Sequence, residues 1–377
     1  MKMLIIVGYI DLRYRIGCTP GFWQLYKALY QLGHEIIIVP YAGREVETLW
    51  WSASSNPTYW EFLFFRKLKM RLGNQERHSR FNWTELIAKQ TVQRKWKRKI
   101  GKLLLKERDI ELVALFNIPL THVPSLGKYL ADFGLKKVFY DGDMPVHLPG
   151  FGGFSTGTNM FYEGCFEDYD VVITNSEGVD NYLKHLGARR TATLHWGADP
   201  EVFCPVDVPK QFDVFFYGFG TQFREFWIDT MVTKPSKLMS NRRFIIGGRD
   251  FVRKGREKVI GDVPFARWHR LTSASRINLN VSRSSHAKVR ATSASRPFEL
   301  AAMKCCIVSN PHNGLEKWFE DKKEIIVVKN AEEMPEIYDW LLSDEEEMER
   351  MGERAQARLL REHTYMDRAE EFIRYIT

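Results

Sequence analysis

Short apolar runs alternate with stretches of helical periodicity through both halves of the chain. In the first half LIIV leads into a helix predicted over 22–32, and EIIIVP, IELVAL, KKVFY and DVVITN follow, the last leading into a helical stretch at 179–186. In the second half FDVFFYG, RRFIIGG, INLNV, CCIVSN and EIIVV recur in the same manner, each followed by helix or loop. Runs that stay apolar without alternating suit strands buried on both faces, and intervening helices suit parallel crossovers. The pattern therefore predicts α/β architecture, with two Rossmann-like, doubly wound domains. A length of 377 residues agrees, because it exceeds what one core normally supports. The stretch 195–210, HWGADPEVFCPVDVPK, collects Pro, Gly and Asp without periodicity and reads as a linker. The expected domains are 1–203 and 204–362, with a last helix over 363–377 packing back on the first. The least regular region is 45–108.

Composition narrows the classes. No apolar run approaches the roughly 18 residues that a membrane span needs, and MKMLIIVGYI suits a first buried strand better than a secretory signal. The expected location is cytoplasmic, with peripheral membrane contact as an alternative. Cys18, Cys165, Cys204, Cys305 and Cys306 are scattered without CxxC spacing, so neither a disulfide framework nor a zinc site is predicted. The formal net charge of +8 favours a polyanionic partner, which nucleotide diphosphates, anionic headgroups and nucleic acid all satisfy.

The candidate chemistry lies mostly in the second half. In RPFELAAMKCCIVS a single acid, Glu299, sits in a small apolar helix that runs into a buried strand. In open α/β sheets ligands bind beyond the carboxyl ends of the strands, where a carboxylate can take both ribose hydroxyls; a capped core helix is the alternative. The preceding stretch, INLNVSRSSHAKVRATSASRPFE, carries Arg283, His286, Lys288, Arg290 and Arg296, with Arg276 just before it, and no acid ahead of Glu299. It suits a diphosphate, or else a solvated basic surface. FFYGFGTQFRE places Gly218 and Gly220 after a strand and Arg224 at the next helix, so that backbone and a bidentate guanidinium can approach a phosphate.

The order FYGFGTQFRE, INLNV, RPFELAAMKCCIVSNPHNGLEKWF and HTYMDRAEEFI resembles the C-terminal half of the CgeB (spore maturation protein) family of glycosyltransferases. These are related to glycosyltransferase family four and have the GT-B fold, two Rossmann-like domains facing across a cleft. DVVITNSEGVDNYLKHLGARRTATLHWGADPEVFCP resembles the end of their N-terminal domain, so the similarity covers about 140–377. It implies that Glu299 binds the donor ribose, that Arg224 holds the donor diphosphate with Arg296 and Phe298 in the same site, and that His312, Asn313, Gly314 and Leu315 face the donor sugar or phosphates. One departure stands out. Family four enzymes usually carry a second Glu eight positions before the ribose Glu, and Ala291 occupies that position here.

In the first half KKVFYDGDMP ends a strand with Asp141 and Asp143, close to where the resembling enzymes place a polar residue at the reacting sugar. They are the candidate catalytic pair, able to orient a hydroxyl or stabilise an oxocarbenium-like transition state. Two other readings stand beside this one: a metal-binding DxD of the GT-A type, and a plain turn. Gly17 and Gly21 flank the first strand-to-helix loop, which lies over the cleft in the resembling enzymes. The aromatic stretch 50–65 and the basic stretch 89–108 fit an anionic membrane, a nucleic acid or a packed insertion with a solvated face.

The expectation is a glycosyltransferase that moves a hexose from a nucleotide diphosphate donor, UDP- or GDP-linked, to an acceptor hydroxyl on a glycan, lipid, protein or nucleic acid. The resemblance implies retention of anomeric configuration, with no metal and no cofactor beyond the donor. An epimerase or hydrolase of the same fold, or a non-catalytic nucleotide-sugar or polyanion-binding protein, is the alternative.

Overall fold

The computed structural model describes residues 1–10, 21–64, 83–148, 165–221 and 223–377, with backbone only for 83–90 and 165. The chain divides into two compact units. One comprises Met1–Asp11, Leu25–Leu194 and Ala369–Thr377, and the other Leu12–Gln24 and His195–Arg368. The main crossing falls at the start of the Pro- and Gly-containing stretch 195–210.

The first unit is built on seven parallel strands: β1 (Lys2–Tyr9), β2 (Glu35–Ala42), β3 (Ser52–Ala53), β4 (Ile110–Phe116), β5 (Lys136–Asp141), β6 (Val171–Thr174) and β7 (Thr191–Thr193). Their order is β3-β2-β1-β4-β5-β6-β7. β1 is central, and Met3, Leu4, Ile5, Ile6 and Val7 are wholly buried, which is why its apolar run does not alternate. The C-terminal residues 369–377 complete this unit. Phe372 packs on Phe116 with ring centroids 5.8 Å apart, and the Tyr375 hydroxyl donates to the Thr193 carbonyl at 2.8 Å.

The second unit has β8 (Phe212–Phe219), β9 (Phe244–Arg249), β10 (Lys258–Val259), β11 (Ser275–Asn280), β12 (Cys306–Ser309) and β13 (Ile326–Val327), in the parallel order β10-β9-β8-β11-β12-β13. Alternate residues feed two cores. Val214, Phe216, Ile246, Ile277, Leu279 and Val308 point to one, closed by Met334, Tyr338 and Leu341. Phe215, Ile245 and Ile307 point to the other, closed by Trp268, Phe298 and Leu359. Period-two alternation with apolar residues in both sets is the signature of a sheet covered on both faces. Both units thus repeat the doubly wound order, in which strand order reverses between the first and fourth strands. In the second unit that switch lies between β8 and β11.

Two differences from the sequence pattern are informative. The edge strands β3, β7 and β10 are only two or three residues long and leave no periodic trace. The region 45–108 holds a 24-residue helix, Trp83–Lys106, together with a packed insertion. Val92, Trp96, Ile100 and Leu104 are buried along one face of that helix, and Trp96 stacks on Tyr41. Trp51 is also buried, whereas Trp60 and Phe64 are exposed. Among the described residues no helix is long and apolar enough to cross a membrane.

Candidate functional site

β8, β11 and β12 end close together at the switch point of the second unit, and their exits carry most of the predicted site residues. Arg224, at the N-terminus of the short helix Glu225–Ile228, donates through Nε to the Val281 carbonyl at 2.9 Å. This fastens the segment after β8 to the exit of β11, beside the switch point of the sheet. The glycines before it have a local reason. A side chain on Gly220 would lie 2.3 Å from the Asp250 carbonyl oxygen, and one on Gly218 would lie 2.9 Å from the Phe216 ring. The close approach these glycines permit is to the protein's own neighbouring segments.

The exits of β11 and β12 are joined by a buried polar seam that the sequence reading did not single out. Asn280 Nδ2 donates to Ser309 Oγ at 2.9 Å, the Ser282 N–H donates to Asn310 Oδ1 at 2.8 Å, and His312 Nδ1 lies 3.3 Å from Ser282 Oγ. All five side chains are buried. Burial lowers the His312 pKa to about 4; the charge of His286 acts in the same direction and the Thr292 carbonyl opposes it. The following turn is clamped onto the loop before Glu299: the Asn313 N–H donates to the Ala287 carbonyl, and the Ala291 N–H donates to the Asn313 carbonyl, each at 2.8 Å. Gly314 has φ 89°, and a side chain there would lie 2.6 Å from the Ala291 nitrogen, so glycine is needed for conformation and for space. Leu315 is buried in the adjoining core.

Glu299 belongs to the helix Ser295–Ala302 and is 1% exposed. Its Oε2 lies 3.1 Å from Arg296 Nη1, yet neither atom completes a well-formed hydrogen bond. The Arg296 guanidinium stands 4.8 Å from the Trp268 ring centroid and 5.9 Å from that of Tyr217. Arg296 is therefore directed at Glu299 and two ring faces, and Phe298 beside it packs on Trp318 and Phe319 in the core. The basic stretch is not one cluster. Arg276 sits at the amino end of β11, the opposite end from Arg283, and faces Asp213 and Glu345 at 4.0 and 3.7 Å. Lys288 and Arg290 are exposed on the loop side.

In the first unit Asp141 closes β5 and is wholly buried. Its Oδ1 accepts from the Asp143 N–H and its Oδ2 pairs with His147 Nδ1, both at 2.8 Å. Both oxygens are thus engaged within the loop. The Gly142 N–H donates to Asn117 Oδ1 at 2.7 Å, tying the loop to the exit of β4. Asp143, 28% exposed at its side chain, lies 3.7 Å from His147 Nε2, so the imidazole is bracketed by two carboxylates. His147 is a second group the sequence reading passed over; its only signal is its spacing of six from Asp141. Among the described residues no group of three or more His, Cys, Asp and Glu is arranged to hold a metal ion. Gly21 leaves room for Trp196 and Tyr365: a side chain there would lie 2.1 Å from the indole ring and 2.4 Å from the hydroxyl. Gly17 lies outside the described residues.

Residues 224–374 match the family model described as "Glycosyl transferase-like". No curated protein matches the chain by sequence. Similar solved structures include a sucrose-phosphate synthase from Thermosynechococcus elongatus, at 13% identity and TM-score 0.68, covering 99% of this chain and 98% of that one. A trehalose-6-phosphate structure from E. coli, bound with UDP-2-fluoro glucose, shares 11% identity at TM-score 0.65 and covers 100% and 99%. Anabaena Alr3699/HepE in complex with UDP and glucose shares 12% identity at TM-score 0.62, again covering 100% and 99%. Two parallel-sheet, Rossmann-like units with these neighbours give the chain the GT-B fold, and its segment 224–374 is glycosyl transferase-like.

Proposed function

We propose that this protein is a CgeB-type glycosyltransferase that transfers a hexose from a nucleotide diphosphate donor to an acceptor hydroxyl. The observation that carries the reading is the meeting of Arg224, the buried polar seam and the clamped 312–314 turn at the exits of β8, β11 and β12, inside the glycosyl transferase-like segment. The complexes of neighbouring structures with UDP support a nucleotide-linked donor.

In this reading Arg224 and the exposed Lys288 and Arg290 meet the diphosphate and stabilise its growing charge as it leaves. Glu299 accepts the ribose hydroxyls through the buried oxygen that Arg296 faces without satisfying. Arg296 acts as the orienting group for that carboxylate. The acceptor oxygen forms its bond to the anomeric carbon as the bond from that carbon to the phosphate oxygen breaks, and the leaving phosphate takes the acceptor proton. Attack on the face the phosphate leaves gives retention, with no metal required. In the first unit, we infer that Asp143 and His147, which pairs with Asp141, handle an acceptor or sugar hydroxyl; their mutual contacts support this. The setting we infer is cytoplasmic.

The test is a thermal-shift screen of UDP, GDP, ADP, CMP and dTDP against wild type and Glu299→Ala, since a ligand selective for the native state raises the melting temperature. One nucleotide diphosphate stabilising the wild type and not the variant supports the donor site and names its base. No shift with any of them removes the reading in favour of a polyanion-binding protein. Product NMR then decides the stereochemistry, and inversion rules out the front-face route.

A further inference from the structure

The helix Trp83–Lys106 of the first unit has a face that the donor-site reading does not use. Val92, Trp96, Ile100 and Leu104 bury one side of it. On the other side Arg94, Arg98, Lys102 and Leu105 are exposed, Leu105 by 67%. At about 100° per residue these four fall within about 80° of arc, so they form one stripe roughly 17 Å long. Lys95 pairs with Glu61 and Lys106 with Glu107, whereas among the described residues no carboxylate pairs with Arg94, Arg98 or Lys102.

Lys95 stands at the border of the stripe. Its partner Glu61 belongs to the helical segment 59–64, which the ion pair holds along that border. Thr58 fixes the start of the segment: its Oγ1 accepts from Trp96 Nε1 at 3.2 Å, and its carbonyl accepts from the Phe62 N–H at 2.9 Å. With Glu61 turned to the long helix, Trp60 and Phe64 share the outward side, since residues four apart are neighbours on a helix. They are 75% and 63% exposed. Large apolar side chains gathered in water beside unpaired cations mark a contact surface and not a merely solvated face.

The cations suit a phosphate-bearing polyanion, and the apolar residues decide which one. A nucleic acid would use flat rings to stack its bases, and Leu105, inside the arc of the stripe, has none. An indole, a phenyl ring and a leucine among arginines and lysines form the set that enters the boundary between lipid headgroups and acyl chains. We propose that this face docks on an anionic lipid surface, with Trp60, Phe64 and Leu105 at the headgroup–acyl boundary and Arg94, Arg98 and Lys102 on the lipid phosphates. The residues lie outside the donor site, so the inference stands or falls separately from the nucleotide reading.

Cosedimentation of the full chain with phosphatidylcholine vesicles, with and without a third of phosphatidylglycerol, tests it. The wild type is expected to bind the anionic vesicles and to lose that binding as salt is raised. Arg94→Gln, Arg98→Gln and Lys102→Gln together are expected to weaken it up to about a hundredfold, near fivefold for each cation. Trp60→Ser with Phe64→Ser is expected to weaken it about tenfold or more through lost apolar burial. All five positions are exposed, so both variants should keep the wild-type melting curve. No sedimentation of the wild type with anionic vesicles at low salt overturns the inference. Binding that neither variant weakens also overturns it, because another surface is then responsible. Tighter binding to a DNA or RNA oligonucleotide than to the vesicles, lost with the three cations and kept by Trp60→Ser with Phe64→Ser, overturns it in favour of a nucleic acid.

Discussion

His363 offers a stability prediction whose sign and size follow from its partners. It lies buried between the rings of Phe298 and Phe319, at centroid distances of 5.4 and 6.0 Å. Its Nδ1 is 2.8 Å from Arg368 Nη2 and its Nε2 is 3.2 Å from the Trp318 carbonyl oxygen. A guanidinium can only donate, so Nδ1 accepts and the proton of the neutral ring sits on Nε2. Protonating Nδ1 would set one N–H against another beside a fixed positive charge. Burial first and Arg368 second lower its pKa from 6.5 to about 3. The folded value lies below the unfolded one, so the unfolded chain takes up the proton first as pH falls. Stability from this group is therefore complete above about pH 6.5 and is lost as pH falls toward 3. At about pH 5 the gap is 1.5 pH units, worth about 2 kcal/mol. His363→Asn keeps an acceptor near the Nδ1 position and cannot titrate. It is expected to be less stable than wild type near pH 7, through lost ring packing, with the deficit shrinking by about 2 kcal/mol near pH 5. Urea unfolding of both proteins at the two pH values measures this difference of differences. A deficit that stays constant within about 0.5 kcal/mol would refute the argument that His363 is held neutral.

Three further outcomes follow from the geometry. Arg224→Ala is expected to weaken nucleotide diphosphate binding about tenfold or more, the scale of a charge-assisted hydrogen bond, and to flatten its salt dependence; an unchanged affinity by titration removes Arg224 from the site. Asp141→Asn is expected to cost about 1–3 kcal/mol, because it sets an amide against His147 in a buried loop, whereas Asp143→Asn should stay within about 0.5 kcal/mol; equal urea midpoints for the two would contradict the assignment. Gly220→Ala is expected to destabilise the protein by about 1–3 kcal/mol, since the added carbon would meet the Asp250 carbonyl and not a flexible side chain, and a wild-type melting curve would count against this.

Much of the fold was legible because the central strands are apolar on both faces. LIIV, IELVAL and CCIVSN all correspond to strands of the sheets, as their unbroken runs predict. The helix Trp83–Lys106 was harder to see. Its buried positions Val92, Trp96, Ile100 and Leu104 recur every four residues, but lysines and arginines surround them, so charge obscured the period. At Gly220 the missing side chain leaves room for the Asp250 carbonyl, a neighbour that a sequence cannot name, because it shows that a side chain is absent without showing what fills the space. Arg276 illustrates the same limit. It is close to Arg283 in sequence, but a β-strand separates them and puts them at opposite ends of the sheet. The polar seam left one trace that could have been used: Ser309 and Asn310 close the apolar run CCIV, and Asn280 closes β11 after Leu279, where a buried polar residue needs either a partner or a ligand.

The repeated topology lets the two units be compared strand by strand. β5 and β12 hold the same place, each pairing with the fourth strand of its sheet on the side away from the switch. Each exit carries a buried polar residue followed closely by a buried histidine: Asp141 and His147 in the first unit, Asn310 and His312 in the second. The chemistry diverges at the partner. His147 meets carboxylates at 2.8 and 3.7 Å, whereas His312 meets a serine hydroxyl and burial lowers its pKa to about 4. One exit thus sets its imidazole between two carboxylates, and the other sets its imidazole against a hydroxyl in an uncharged polar seam.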